Sequence, residues 1–304
     1  DGFRFDAPTW NCMPNWTEEL PYRASAAYYA CFRLLERVRH EINAGYPQTL
    51  LYTEPSGPLF RKTMDLTYNY DEEWLSGSLM QVVSERGYAG ARQYNGDRIN
   101  ARQTADWLYY RDLSLPASSQ TVHHLDSHDT FWWGEKAQFR QEAFGLEASR
   151  SLFAMYALIG GGIMNYVGAE SGSEAFYRRL LHLRQADKTL RYGGCDYRLV
   201  TCSHARVLVL WREYEGQHAI PVINLGNEPL LVRLGLPTEC LPIQSNQECL
   251  VYDLLGNQYV ESNGYRRHPG YTLKDLKIDL PAYGVMVLRV YPIKKQPATG
   301  NSKD

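Results

Sequence analysis

Arg4 and Asp6 alternate along Gly2-Phe3-Arg4-Phe5-Asp6, an otherwise apolar run at the start of the chain. Residues two apart on a strand share a face, so the guanidinium and the carboxylate point the same way. A charge pair on such a face is costly unless the ions are paired or used. One reading is structural, a salt-bridged strand end with Asp6 capping the next helix. The other is chemical, a carboxylate kept ionised and oriented by its own arginine. Two further acids bear on the choice: Glu54 closes the β-like run from Thr49, and Asp129, beside His128, follows the run Thr121 to Asp126. Singly, Glu54 before Pro55 reads as a strand end in solvent and Asp129 as a turn cap. Jointly, three acids at the C-terminal ends of strands, next to an arginine and a histidine, are hard to explain structurally. In glycoside cleavage one acid is kept protonated to serve a leaving oxygen, while another stays ionised to attack or stabilise an oxocarbenium-like centre.

The elements that must carry these groups alternate short β-like runs with helical patterns over residues 1 to about 193, the signature of βα units and a parallel sheet. Five units are expected. The first strand runs through Asp6 and its helix covers Tyr22 to Asn43, stopped near Gly45-Tyr46-Pro47. The second strand is Thr49 to Glu54, and the third about Met64 to Tyr70, followed by a helix from Asp71 to Arg86. A helix over Asn100 to Asp112 leads to the fourth strand, Thr121 to Asp126. The helix Phe144 to Ile159 leads to the fifth, Gly162 to Val167, and a last helix spans Glu174 to Lys188. The steps of 48 residues from Asp6 to Glu54 and 75 from Glu54 to Asp129 fit one and two units of a (β/α)8 barrel, which averages roughly 31 residues per unit and keeps its catalytic groups at the C-terminal strand ends. After Gly193-Gly194 the pattern turns to short alternating runs, such as Arg206 to Glu213, Ala219 to Asn224 and Gly284 to Tyr291, as expected of an antiparallel β-sandwich over 194–293. Residues 294–304 are polar and read as a disordered tail.

The totals exclude several partners. A net charge of -2 over 304 residues leaves no electrostatic footprint for nucleic acid or an anionic membrane. The longest apolar run, Leu152 to Val167, is broken by Gly160, Gly161 and Gly162 and reads as a buried helix and strand, not a membrane span. The six cysteines show no metal-ligand spacing, so free thiols are expected, with Cys240 and Cys249 a local pair only where the compartment oxidises. No acidic loop of EF-hand spacing appears. No cofactor and no metal site is therefore expected here, calcium being reserved for a longer protein. The 23 tyrosines and 7 tryptophans include candidate stacking platforms at Trp10, Trp16, Trp132 and Trp133.

With those residues in view, the chain resembles the α-amylase superfamily, glycoside hydrolase family 13, from its fourth barrel strand to its C-terminal sandwich. Asp1-Gly2-Phe3-Arg4-Phe5-Asp6-Ala7 looks like the family's second signature region, Leu51-Tyr52-Thr53-Glu54 like the third, and His124-Leu125-Asp126-Ser127-His128-Asp129 like the fourth. Gly161 to Glu170 is similar to the eighth strand and its loop, and Leu280-Pro281-Ala282-Tyr283-Gly284-Val285 to the close of the C-terminal domain. Thr53 stands where the family usually has Gly, and Ala7-Pro8-Thr9-Trp10 replaces its usual basic position, so the substrate subsites are not carried over.

The resemblance implies a retaining mechanism on α-glucans or maltooligosaccharides. Asp6 would be the nucleophile and Glu54 the acid/base, while Asp129 and His128 would bind sugar hydroxyls and Arg4 would orient Asp6; Trp10 and Trp132, as candidate stacking platforms, complete the expected substrate-binding set. It also implies that only strands four to eight of the barrel are present, so the missing N-terminal half of the barrel is an expected partner and the isolated chain is expected to be inactive. Two alternatives use the same sequence: an α-glucan transglycosylase with the same acids, and a non-enzymatic carbohydrate-binding relative, which would be expected to lose them.

Overall fold

Strands β1 (Gly2–Phe5), β2 (Leu50–Thr53), β3 (Leu66–Tyr68), β4 (Gln120–His124) and β5 (Gly162–Met164) form one five-stranded sheet in sequence order, with every pairing parallel. The structure is a computed structural model that describes residues 2–8, 24–54, 59–68, 71–80, 99–117, 119–132 and 137–293. Trp10, Trp16, Trp133 and the tail 294–304 lie outside the described residues. So does the stretch 81–86 at the end of the helix expected from Asp71.

Parallel neighbours require a crossover between them. Helix α1 (Ala24–Gly45) supplies it between β1 and β2; α2 (Asp71–Met80) and α3 (Ala101–Ser114) supply it between β3 and β4; α4 (Arg140–Phe144) and α5 (Leu146–Leu158) supply it before β5. Between β2 and β3 the described residues hold only a 3-10 turn, Phe60–Lys62. The start of α3 is fixed by a capping box, Asn100 Oδ1 accepting from the Gln103 N–H at 2.9 Å while Gln103 Oε1 accepts from the Asn100 N–H at 2.9 Å.

The parallel register sorts the side chains. Arg4, Tyr52, Leu66, Tyr68, Val122, His124 and Met164 share one face, because Arg4 pairs with Tyr52, Tyr52 with Leu66, Tyr68 with Val122 and His124 with Met164. Phe5 and Leu51 lie on the other face, packed with Cys31 and Leu35 of α1 and with Phe60 and Met64. Gly2 fits this arrangement because an added Cβ would sit 2.2 Å from the Leu50 carbonyl oxygen. Helix α5 is apolar over its C-terminal half, with Leu152, Phe153, Ala154, Met155, Tyr156, Ala157 and Leu158 all at 1% exposure or less.

The chain divides into two compact units, Asp1–Leu181 and His182–Asp304. The second is antiparallel β throughout its sheets, as the change in pattern predicts. One sheet runs Gln258–Tyr259, Glu248–Asp253, Val285–Pro292, Gln217–Asn224, Trp211–Tyr214, Gly194–Asp196, and a three-stranded sheet holds Leu276–Leu280, Leu230–Gly235 and Thr201–Cys202. Ile220, Val222, Val251, Leu288 and Val290 from the first pack with Val232, Leu234, Ile278 and Leu280 from the second in one core. The run expected over Arg206 to Glu213 is two strands, Val207–Val209 and Trp211–Tyr214. Cys240 and Cys249 are both free, and the buried Cys249 thiol donates to the His268 carbonyl at 3.2 Å. No helix among the described residues is long and apolar enough to cross a membrane.

Candidate active site

Two strand ends meet at one arginine. Arg4, near the end of β1, donates from Nη1 to Asp6 Oδ1 and from Nη2 to Glu54 Oε1 at 2.7 Å. The two terminal nitrogens of one guanidinium thus reach one oxygen each of Asp6 and Glu54, so the carboxyls following adjacent parallel strands are neighbours. The Glu54 N–H extends the strand pairing by donating to the Phe5 carbonyl at 3.2 Å. The second Glu54 oxygen, Oε2, accepts the Ala7 N–H at 2.7 Å, and Ala7 holds the left-handed φ of 41° that aims it there.

The acids differ in exposure. The Asp6 side chain is 72% exposed and that of Glu54 14%, so one carboxyl is open to an incoming ligand and the other is enclosed by its donors. Burial by itself would lower Arg4; the Tyr68 hydroxyl and the Asp6 and Glu54 carboxylates outweigh it and hold the guanidinium above its ordinary range. The positive charge between the two acids is therefore permanent.

Tyr68, at the end of β3, is the group that the sequence reading missed. Its hydroxyl accepts from Arg4 Nη2 at 2.9 Å and donates to Glu54 Oε1 at 3.4 Å. Its ring is wedged between Tyr52, at 5.5 Å and 49°, and the edge of His124, at 5.3 Å and 85°. His124 is buried, which pushes its imidazole down to about 4 and keeps it neutral. The available signal was parity: Tyr68 falls on the same sheet face as Arg4 once β1, β2 and β3 are aligned.

Asp129 and His128 arrive from the loop after β4. Ser127 and Thr130 lock this turn reciprocally: Thr130 Oγ1 accepts the Ser127 N–H at 2.8 Å and Ser127 Oγ accepts the Thr130 N–H at 3.1 Å. The buried Asp126 accepts the Arg140 N–H at 2.8 Å, and Arg140 returns to the Thr130 carbonyl, which fastens the loop at both ends. Burial pushes the Asp126 carboxyl up to about 6. The ligand atoms of Glu54, His128 and Asp129 lie within 4.8 Å of one another, and His128 Nε2 is 3.5 Å from Asp129 Oδ2. Trp132 donates its N–H to the Asp129 carbonyl at 2.9 Å and its ring is 68% exposed. Of the predicted site residues, Arg4, Asp6, Glu54, His128, Asp129 and Trp132 are described, the first five are linked by these contacts, and Trp10 lies outside the described residues.

This arrangement can hold a ligand between an open carboxylate, an enclosed carboxyl and a third acid with a histidine. No protein-family model and no curated protein matches the sequence. Solved structures do match the fold. A maltogenic α-amylase from Thermotoga neapolitana aligns over 97% of this chain with a TM-score of 0.67 at 15% identity. A debranching enzyme from Nostoc punctiforme aligns over 95% with 0.65 at 19%, and an α-amylase from Geobacillus thermoleovorans, complexed with acarbose, over 85% with 0.60 at 16%. The chain spans 62%, 58% and 57% of the lengths of these three proteins. Its α/β architecture, a parallel sheet with antiparallel sheets, is thus similar to the folds of these α-amylases and debranching enzymes, as the sequence resemblance implies.

Proposed function

We propose that this chain carries the catalytic acids of a retaining α-glycoside hydrolase acting on α-glucans or maltooligosaccharides. The observation that carries the reading is the Arg4 clamp, which brings Asp6 and Glu54 side by side from adjacent parallel strands. Retaining glycosidases need two carboxyls close together, about 5 to 5.5 Å apart, one to attack the anomeric carbon and one to serve the leaving oxygen.

In this mechanism Asp6, the exposed acid, attacks the anomeric carbon and forms a glycosyl ester while the bond to the leaving oxygen breaks. Glu54 gives its proton to that oxygen and then takes one from the water that hydrolyses the ester. Arg4 keeps Asp6 oriented, and its bond to Glu54 must loosen as substrate arrives so that Glu54 can carry the proton. Tyr68 and the Ala7 N–H hold Glu54 in place during that exchange. Asp129 and His128, within 4.8 Å of Glu54, bind sugar hydroxyls beside the reacting carbon. Trp132 offers an exposed ring for stacking. No cofactor enters these steps.

The five parallel strands correspond in this reading to strands four to eight of a (β/α)8 barrel. A barrel has no edges, whereas among the described residues β1 and β5 end this sheet, and Phe3 on β1 is 60% exposed. The coverage of only 62% of a fold neighbour's length supports the same conclusion. In this reading the remaining barrel strands are the partner of this chain, and the 304 residues alone are expected to be inactive.

The test is product analysis of maltooligosaccharide hydrolysis by the complete barrel and by its Asp6→Asn and Glu54→Gln variants. The α-anomer as first product, with each variant lowering kcat by roughly 10³-fold or more, is the expected result. A β-anomer first, or activity indifferent to Asp6→Asn, would sink the assignment. Release of reducing sugar by the purified 304-residue chain would remove the requirement for further strands.

A further inference from the structure

We propose that a cavity on the helix side of β4 is a binding site for a neutral hydroxylated molecule of monosaccharide size. Its volume is about 270 Å³, and it opens where α3 ends and where β4 and β5 begin. The catalytic acids follow the ends of the strands, so this site is at the opposite end of the sheet. His123, which lines the cavity, is also on the opposite sheet face from Tyr68 and His124.

The cavity is built around polar groups that the proposed reaction does not use. His123 is 2% exposed and spends one nitrogen on Glu72, with Nδ1 2.5 Å from Oε1. Its other nitrogen, Nε2, faces Gly161, another lining residue, where an added Cβ would sit 3.2 Å away and 2.2 Å from the Thr121 carbonyl oxygen. Glycine there, at φ 58°, leaves Nε2 open to the cavity. Ser119 Oγ, also in the lining, is buried and has no hydrogen-bond partner. A buried hydroxyl without a partner costs stability unless something occupies the space beside it.

Charge selects the kind of ligand. Arg111 pairs with Glu72 at 2.8 Å and with Asp112 at 2.6 Å, and Arg61 behind it donates to Thr121 Oγ1 at 2.8 Å. In the lining the Arg111 guanidinium is matched by the Asp112 carboxylate, and behind it Arg61 is matched by Glu72, so the cavity offers donors and acceptors with no net field for an ion. Leu115, Pro116 and Ile159 add an apolar wall against which the C–H face of a sugar ring can pack. The volume falls just below the usual range of small-molecule sites, which starts at roughly 300 Å³, and so admits nothing larger than a single hexose. The choice of a hexose over another polyol rests on the α-glucan reading above.

The test is titration of the 304-residue chain with D-glucose, and separately with inorganic phosphate, followed by amide NMR. Glucose should move the signals of residues 111–123 and 159–161. Ser119→Phe, which fills the cavity, and Asp112→Asn, at a partly exposed position that tolerates change, should each weaken the affinity about tenfold. Asp6→Asn should leave it unaltered. Shifts confined to the surroundings of Asp6 and Asp129, a response to phosphate but not glucose, or no response in a folded chain would overturn the proposal. Glucose binding here without maltooligosaccharide cleavage by the complete barrel would fail only the catalytic reading.

Discussion

Ala7 donates its backbone N–H to Glu54 Oε2 at 2.7 Å from a left-handed conformation, φ 41°, that disfavours any residue with a Cβ. The penalty for an L-residue there is roughly 1–2 kcal/mol, and the surroundings hold Ala7 in it. Strain of this kind gathers at functional sites, and here it aims one donor at the acid assigned to proton transfer. Ala7→Gly relieves the strain and keeps the N–H; Ala7→Val keeps the N–H and adds a β-branch where φ must stay positive. Urea unfolding should find the valine variant less stable than the glycine variant by about 1–2 kcal/mol. Equal midpoints would mean that the loop relaxes out of this conformation.

Tyr68 touches both Arg4 and Glu54 through one hydroxyl, so its removal separates positioning from packing. Tyr68→Phe keeps the ring between Tyr52 and His124. The expected result in the complete barrel is a fall in kcat of about tenfold with KM nearly unchanged, because the lost contact orients the acid and does not hold substrate. Arg4→Lys should cost more, roughly 100-fold, since an ammonium cannot bridge two carboxyls and a hydroxyl as a planar guanidinium does. A rise in KM alone for Tyr68→Phe would place the hydroxyl on the substrate instead.

The charged residues of this site differ from Tyr68 in how far a sequence reveals them. Arg4, Asp6 and Glu54 were legible because each is a charge at the end of an apolar run, and the parallel sheet then brings the runs together in sequence order. His128 and Asp129 were legible for the same reason. Tyr68 was not, since a tyrosine inside Leu66-Thr67-Tyr68 looks like core, and only the register with β1 and β2 reveals the face it shares with Arg4. Glu72 was hidden differently. In Asp71-Glu72-Glu73 it reads as a solvated acid at a helix start, yet it is fully buried against His123 and Arg111, partners far away in sequence. In the second unit the strands Leu230–Gly235, Glu248–Asp253 and Leu276–Leu280 alternate as the pattern rule requires, but their pairing joins segments that no local signal connects.

Burial by itself would raise Glu72; the His123 and Arg111 partners outweigh it and hold the carboxyl below its usual range. Removing that charge takes the carboxylate from the enclosed His123 and leaves Arg111, also enclosed, without its buried partner and with the more exposed Asp112. Glu72→Leu should cost about 3–5 kcal/mol in urea unfolding, the range for breaking a buried ion pair from one side. Asp275→Asn, which breaks the surface pair with Arg233, should change little. Comparable losses in the two variants would mean that the Glu72 network is solvated and contributes no more than a surface pair.

His218 supplies a pH dependence whose sign is fixed by its partners. Its ring stacks on Trp211 at 5.1 Å and 6°, and its Nε2 accepts the Val290 N–H at 3.2 Å, so the folded state requires the neutral imidazole. Burial, with Arg289 nearby, pushes it down to about 4. In the unfolded chain the ordinary value is about 6.5. Between those values the unfolded chain takes up a proton that the folded chain refuses, so stability from this group is present above pH 6.5 and is lost as pH falls towards about 4. The loss is on the order of 3 kcal/mol across that window. The buried His124 acts in the same direction, whereas Asp126, raised to about 6, opposes both by losing stability as pH climbs through its folded value. Comparison with a variant therefore isolates the contribution of His218. His218→Phe keeps the stack on Trp211 and removes the titration, and its urea midpoint should fall less steeply on acidification than that of the unsubstituted chain. Parallel curves for the two proteins would show that His218 binds its proton equally in both states.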